Sequence, residues 1–277
     1  MSLKQAIGII DSGVGGLTVA KEVMRQLPKE KIIYFGDNAR CPYGPRSAEQ
    51  IRTFTNQMIQ FLFQYDMKAL VIACNTAAAV VLEEVRERAG IPVLGVIEPG
   101  ARAAISVTRT GRIGIIGTET TIRTGAYTRA LQRINPHLYV SSLKCPDFVP
   151  LVENQLVHTN EARRIVFDTL EPLRHEELDT LILGCTHYPL LAPLIQEVFG
   201  DTITLISSAE ETARELSALL SLRDQHTTNG FPEECDHQFF TSGDPDVFRA
   251  IGEEWLDVEI DVSNRSLEEI YQYELVD

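Results

Sequence analysis

Eight short runs of isoleucine, valine and leucine recur along this chain with a repeating spacing. The first four are AIGII (6–10), KIIYF (31–35), ALVIA (69–73) and PVLGV (92–96). The second four are RIGII (112–116), LYVSS (138–142), TLILG (180–184) and ITLIS (203–207). Between their centres the intervals are 25, 38 and 23 residues in the first set and 26, 42 and 23 in the second. Longer amphipathic stretches separate the runs, which is the pattern of parallel βαβ units. The chain therefore reads as two similar, pseudo-symmetric open parallel-sheet α/β domains. The repeat extends to individual residues. IGIIDSG corresponds to IGIIGTE 106 residues later, and VIACNT corresponds to LILGCTH, with Cys185 standing 111 residues after Cys74.

Pro99 and Gly100 in IEPGARAA (97–104) interrupt the pattern and mark the expected domain boundary. After the eighth run, AEETARELSALLSL places Ala213, Leu216, Leu219 and Leu220 at helical spacing. RDQHTTNGFPEE reads as an exposed loop, and SNRSLEEIYQYELVD reads as a solvated acidic helix or a frayed end. A length of 277 residues suits two ordinary domains or one large one.

In open parallel sheets, ligands bind beyond the carboxyl ends of the strands, where loops enter helix N-termini. Asp11, Cys74, Thr118 and Cys185 all fall at such ends. Free N–H groups and the positive end of a helix dipole favour a thiolate there. A lone cysteine is usually a small buried hydrophobe. Two at matching positions of a duplication, each followed by polar residues, point instead to chemistry. Cys41, Cys145 and Cys235 lack that context. The glycines of DSGVGG (11–16) expose N–H groups suited to an anion, although without GxGxxG spacing or a Walker lysine the anion is better a carboxylate than a nucleotide. Asp11 suits either a helix cap or a proton acceptor beside a thiol. His187, two residues past Cys185, suits a helix start or the tuning of that thiol. The loop DNARCPYGPRS (37–47) should overhang the site and bring Tyr43 and Gly44 to it.

If the strand ends of the two domains face each other, one thiol stands on each side of a small bound molecule. Inverting a carbon centre needs that arrangement, because the proton leaves one face and returns on the other. The six lysines avoid the strand-end motifs, so pyridoxal phosphate has no evident anchor and the reaction should need no cofactor. The five cysteines show no CxxC spacing, so neither a disulfide framework nor a metal site is indicated. A net charge of −14 repels nucleic acid and anionic lipid. No apolar run approaches the roughly 20 residues that span a bilayer, and Asp11 precedes any signal-like region, so a cytoplasmic protein with a small-molecule substrate is expected.

These residues carry a resemblance. In order along the chain, IGIIDSGVGGLTV, YFGDNARCPYG, ACNTA, GVIEP, IGTETT, CPDFVPLVE and GCTHYP make it similar to the glutamate racemases, cofactor-independent members of the aspartate/glutamate racemase superfamily. The resemblance implies interconversion of L- and D-glutamate in the cleft between the domains, supplying D-glutamate for peptidoglycan. It implies that Cys74 acts on the D-enantiomer and Cys185 on the L-enantiomer. Asp11 would attend Cys74, while His187 and Glu153 would attend Cys185. Substrate would be bound by Asp11, Ser12, Tyr43, Gly44, Asn75, Thr76, Thr186 and His187, with Thr118 and Thr121 assisting one carboxylate. The implied domains are 1–97 plus 208–277, and 98–207, with a homodimer as the assembly to test. The rival readings are a related racemase acting on aspartate, a hydrolase or lyase using one cysteine as nucleophile, and a two-domain binding protein without chemistry.

Overall fold

A computed structural model describes residues 5–227 and 236–271. The first four residues, residues 228–234 of the 223–234 loop, Cys235 and the last six residues lie outside the described residues. All eight apolar runs are strands: β1 (Ala6–Asp11), β2 (Ile32–Gly36), β3 (Met67–Ile72), β4 (Val93–Gly95), β5 (Arg112–Gly117), β6 (Tyr139–Lys144), β7 (Thr180–Gly184) and β8 (Thr204–Ser207). Two more follow, β9 (Gln238–Thr241) and β10 (Val262–Asn264). They form two parallel sheets, one ordered β10-β9-β2-β1-β3-β4 and the other β6-β5-β7-β8. Setting aside the two-strand extension, each sheet runs second, first, third, fourth, so the duplication seen in spacing is also a duplication of topology.

That order fixes where a ligand can enter. From β1 the chain crosses to one side to form β2 and then to the other to form β3, so the crevice opens between the ends of β1 and β3. Ile10 pairs with Ile72, which brings Asp11 and Cys74 to the same end. In the second sheet Gly117 pairs with Gly184, and the next residues, Thr118 and Cys185, emerge side by side.

The connecting helices are α1 (Leu17–Gln26), α2 (Ala48–Leu62), α3 (Asn75–Arg88), α4 (Ile97–Val107), α5 (Glu119–Thr124), α6 (Ala126–Ile134), α7 (Phe148–Glu153), α8 (Asn160–Leu170) and α9 (Ala192–Phe199). After the last strand of the second sheet come α10 (Ser208–Leu222), α11 (Pro245–Leu256) and α12 (Leu267–Tyr271). The IEPGARAA stretch is not an interruption. Pro99 lies in the first turn of α4, where a missing N–H costs nothing, and the helix continues through Gly100. The acidic end segment is less solvated than its composition implies, because Ile270 of α12 is fully buried and the helix packs on α2.

Side chains alternate across the second sheet and bind it to the rest of the molecule. Ile113 and Ile115 of β5 and Ile182 of β7 join the same apolar core as β1, β3, α4 and α10. Ile116, Leu181 and Leu183, pointing the other way, pack with Phe148, Tyr188 and Ile195. One continuous core therefore runs along the crossing helices between the sheets. Among the described residues no helix is long and apolar enough to cross a membrane.

A buried ion pair fastens the chain beyond α10 to the first sheet. Lys68 Nζ lies 2.5 Å from Glu30 Oε2, both side chains 2% exposed. Lys68 also donates to the Gln225 carbonyl at 2.7 Å, and Thr227 donates to Glu30 through both its N–H and its hydroxyl at 2.8 Å. Lys68→Met would leave the Glu30 carboxylate buried without its cation. Chemical denaturation should show a loss of about 3–5 kcal/mol; a loss below about 1 kcal/mol, the value of an exposed pair, would show that water reaches this site.

Candidate active site

The two crevices open onto one narrow cavity of about 260 Å³ of empty space. Ser12, Tyr43, Gly44, Cys74, Asn75 and Thr76 line it from the first sheet, and Thr118, Cys185, Thr186 and His187 from the second, together with Pro42 and Val149. Ten of the thirteen residues singled out in the sequence thus surround one space. Asp11, Thr121 and Glu153 stand behind that lining and touch it. Two larger surface depressions, edged by Arg86, Glu98, Arg102 and Arg133, hold no thiol or imidazole.

Cys74 is the cap of α3, and its sulfur accepts the Ala77 N–H at 3.4 Å. Ser12 Oγ stands 3.5 Å from the same sulfur. The helix dipole favours a thiolate here, but it does not win. Burial, followed by the negative charge of Asp11, pushes the Cys74 thiol up to about 12. Cys74 is thus held as a neutral thiol, opposite to what its helix-terminal position suggested.

Asp11 is fully buried, and burial pushes its carboxyl up to about 6, against the pull of His187 and of the Gly13 and Gly16 N–H groups. It does not cap α1, which begins at Leu17 after a Gly16 cap. Its Oδ1 instead accepts the Gly13 N–H at 3.0 Å, and its Oδ2 accepts the Thr186 hydroxyl at 3.3 Å. This second bond joins the two sheets at the site.

On the other side, Cys185 Sγ lies 3.8 Å from His187 Nδ1, and His187 Nε2 lies 2.5 Å from Glu153 Oε1. Burial works to lower the imidazole, but hydrogen bonds to Cys185 and Glu153, and the charges behind them, overcome it and raise His187 to about 10. Burial likewise opposes ionisation of Glu153, yet its bond to His187 holds the carboxyl below its ordinary range. His187 is accordingly an imidazolium between a carboxylate and the Cys185 sulfur. Glu153 is far from the solvated side chain that a lone glutamate usually is. It also accepts a hydrogen bond from the Cys41 thiol at 3.7 Å, a contact that nothing in the sequence around Cys41 announced.

Hydroxyls gather at one end of the cavity. Thr76 Oγ1 lies 2.8 Å from Thr118 Oγ1 and 3.3 Å from Thr121 Oγ1, and Thr118 and Thr121 are 3.0 Å apart. Thr121 supports the two lining threonines rather than facing the cavity itself. Tyr43 is buried with its hydroxyl committed to Asp37, so it offers the cavity its ring and backbone rather than its O–H. Gly44 bridges the sheets, its carbonyl accepting the Thr120 N–H at 3.2 Å. Among the described residues no lysine or arginine lines the cavity.

The glycines of DSGVGG have a steric role. A Cβ on Gly15 would collide with Thr186 Oγ1 and lie 2.5 Å from His187 Nδ1. One on Gly44 would lie 2.9 Å from Thr118 Cβ. At Gly15 and Gly44 the loops of one sheet press against those of the other, and this close approach requires glycine there.

Comparison with known proteins agrees with this arrangement. Residues 7–216 match the Asp/Glu/Hydantoin racemase family model. The chain is 54% identical over 255 residues to a glutamate racemase of Bacillus cereus, covering 92% of this chain and 94% of that protein. It is 52% identical over 259 residues to the Enterococcus faecalis glutamate racemase, covering 94% of each. The fold superposes on the crystal structure of glutamate racemase isoform RacE1 from Bacillus anthracis with a TM-score of 0.93 at 50% identity, over 96% of this chain and 99% of that one. The Francisella tularensis glutamate racemase, solved in complex with D-glutamate, gives a TM-score of 0.89 at 34% identity over 96% and 99% of the two chains. With its duplicated sheets, its shared cavity and a family match over most of its length, this chain belongs to the Asp/Glu/Hydantoin racemase family.

Proposed function

We propose that the protein is a glutamate racemase in which two thiols exchange a proton across the substrate α-carbon. The observation that carries this reading is that Cys74 and Cys185, at equivalent strand ends of the two sheets, line the same cavity. In one direction Cys185, as thiolate, takes the α-proton of L-glutamate, and the Cys74 thiol delivers a proton to the opposite face. In the other, Cys74 is the base and Cys185 the acid. The thiol at Cys74 and the imidazolium beside Cys185 suit the first of these half-cycles. For the reverse half-cycle Cys74 must ionise, and the substrate ammonium group supplies a positive charge in addition to the His187 imidazolium that attends Cys185.

The lining also suits a substrate that arrives in two mirror-image forms. Ser12, Asn75, Thr76, Thr118 and Thr186 offer neutral donors, with Thr121 behind them, so carboxylates are held without salt bridges. Neutral donors hold either enantiomer loosely enough to release it. Product D-glutamate would serve peptidoglycan synthesis, and a cytoplasmic enzyme suits that supply. The cycle uses no pyridoxal phosphate.

Cys74→Ser and Cys185→Ser should each reduce turnover about 100- to 10,000-fold in both directions, since every turnover needs a base and an acid, each worth that much. Chiral chromatography of each enantiomer's product measures this, and substantial racemisation by either variant would contradict the two-thiol cycle.

The dependence of kcat/KM on pH should be bell-shaped, since it reports the ionisations of the free enzyme. The acid limb follows Asp11 near pH 6 and the basic limb follows His187 near pH 10. Glu153→Gln removes a hydrogen bond and a charge that raise His187, so the basic limb should move toward neutral pH. A limb that stays in place belongs to the substrate ammonium group instead. The same shift bears on stability. His187 binds its proton more tightly folded than unfolded, so its contribution is fully present below about pH 6.5 and is lost as pH rises through about 10.

A further inference from the structure

Asn75 and Tyr127 form a buried pair in which only one partner was marked by the sequence. Asn75 is 2% exposed, lines the cavity, and its Nδ2 has no hydrogen-bond partner among the described residues. Its Oδ1 accepts the Tyr127 hydroxyl at 2.7 Å. Tyr127 belongs to α6 on the second sheet, whereas Asn75 opens α3 on the first, so the bond crosses between the sheets. The phenol donates this bond, so its proton is committed to the Asn75 carbonyl oxygen.

The surroundings keep the phenol in place. Tyr127 is 2% exposed. A Cβ on Gly100 of α4 would lie 3.2 Å from its hydroxyl and 3.1 Å from Ser208 Cβ, and one on Gly184 would lie 3.2 Å from its ring. Gly100 and Ser208 belong to the two helices, α4 and α10, by which the chain leaves the first sheet and returns from the second. Tyr127 is therefore wedged where both crossings meet.

We propose that Tyr127 is a positioning residue for substrate binding, its hydroxyl fixing the Asn75 amide so that Nδ2 rather than Oδ1 faces the substrate carboxylate. A buried amide with one edge unpaired has two orientations of similar shape and opposite chemistry. With Nδ2 toward the cavity it donates to a carboxylate, and with Oδ1 there it repels one. Tyr127 donates to Oδ1, which turns Nδ2 away from the phenol and so selects the binding orientation. Because the selecting group comes from the other sheet, Asn75 is set only when the two sheets are seated against each other.

The inference rests on the racemase reading, and one set of kinetic measurements separates the two. Wild type, Tyr127→Phe, Asn75→Ala and the double variant are assayed with L- and D-glutamate, and their folding is compared by circular dichroism. The two enantiomers have equal free energy in solution, so kcat/KM must fall by one factor in both directions whatever the cause. The split between KM and kcat is the informative quantity. Tyr127→Phe keeps the ring and should raise KM about tenfold for both enantiomers, equivalent to ~1.4 kcal/mol, with kcat within about threefold of wild type. In the Asn75→Ala background the same change should add nothing, since the group it positions is gone. An unchanged KM in Tyr127→Phe, or effects that multiply in the double variant, would overturn the proposal. If Tyr127→Phe does not fold, Asn75→Asp keeps an acceptor for the phenol and replaces the Nδ2 donor by a carboxylate oxygen. Its KM should exceed that of Asn75→Ala for both enantiomers, and a KM no higher than that of Asn75→Ala would overturn the proposal. Failure of the wild type to racemise glutamate would instead overturn the racemase reading itself.

Discussion

The catalytic arrangement depends on how closely the strand ends of one sheet approach those of the other. A parallel sheet always offers a crevice where its strand order reverses. Here there are two such crevices, and loops without side chains let them meet. Gly15 against Thr186 and His187, and Gly44 against Thr118, leave no room for a Cβ. The Thr186–Asp11 and Gly44–Thr120 hydrogen bonds close the contact. A small molecule held there is screened from water and touched from both faces at once. The continuous core along α4, α6 and α10 holds the two sheets in register behind the site.

Electrostatics gives the two sides different characters although their topology is the same. A buried carboxyl accompanies Cys74, and a buried imidazolium with its own carboxylate accompanies Cys185. In low dielectric a charge without a partner is costly. The site meets that cost differently on each side, by keeping Cys74 and its neighbourhood easily protonated and by pairing His187 with Glu153. The result is a ready proton donor on one face and a cation next to sulfur on the other. Duplication supplied the two thiols, and divergence of their neighbours supplied the difference between them.

Much of this was legible in the sequence, for identifiable reasons. Most of these parallel strands are buried runs rich in Ile, Val and Leu, and the similar intervals of the two sets expose the duplication even at β6, whose side chains are exposed or half-buried. Strand ends of such sheets are where ligands bind, so Cys74 and Cys185 could be singled out before any resemblance was invoked. What escaped was short or nonlocal. QFFT and VSN are too brief to register as strands. For α11 the local signal is complete, with Asp244 as cap, Pro245 at the first position and Phe248, Ile251 and Leu256 on one face. Tyr127 and Cys41 gain their contacts only through folding, from partners 52 and 112 residues away. The helix-dipole argument for a thiolate at Cys74 failed because burial, which a local motif does not reveal, outweighs it.

The most direct test of the two-thiol cycle follows the α-proton itself. Proton NMR and chiral analysis of L-glutamate in deuterated water, read at early conversion, separate proton transfer by two groups from transfer by one. With a different group on each face, the D-glutamate that forms should carry solvent deuterium at the α-carbon while unreacted L-glutamate keeps its proton. D-glutamate that retained the original proton, or L-glutamate that exchanged fully before any D-glutamate appeared, would contradict the assignment of base and acid to Cys185 and Cys74.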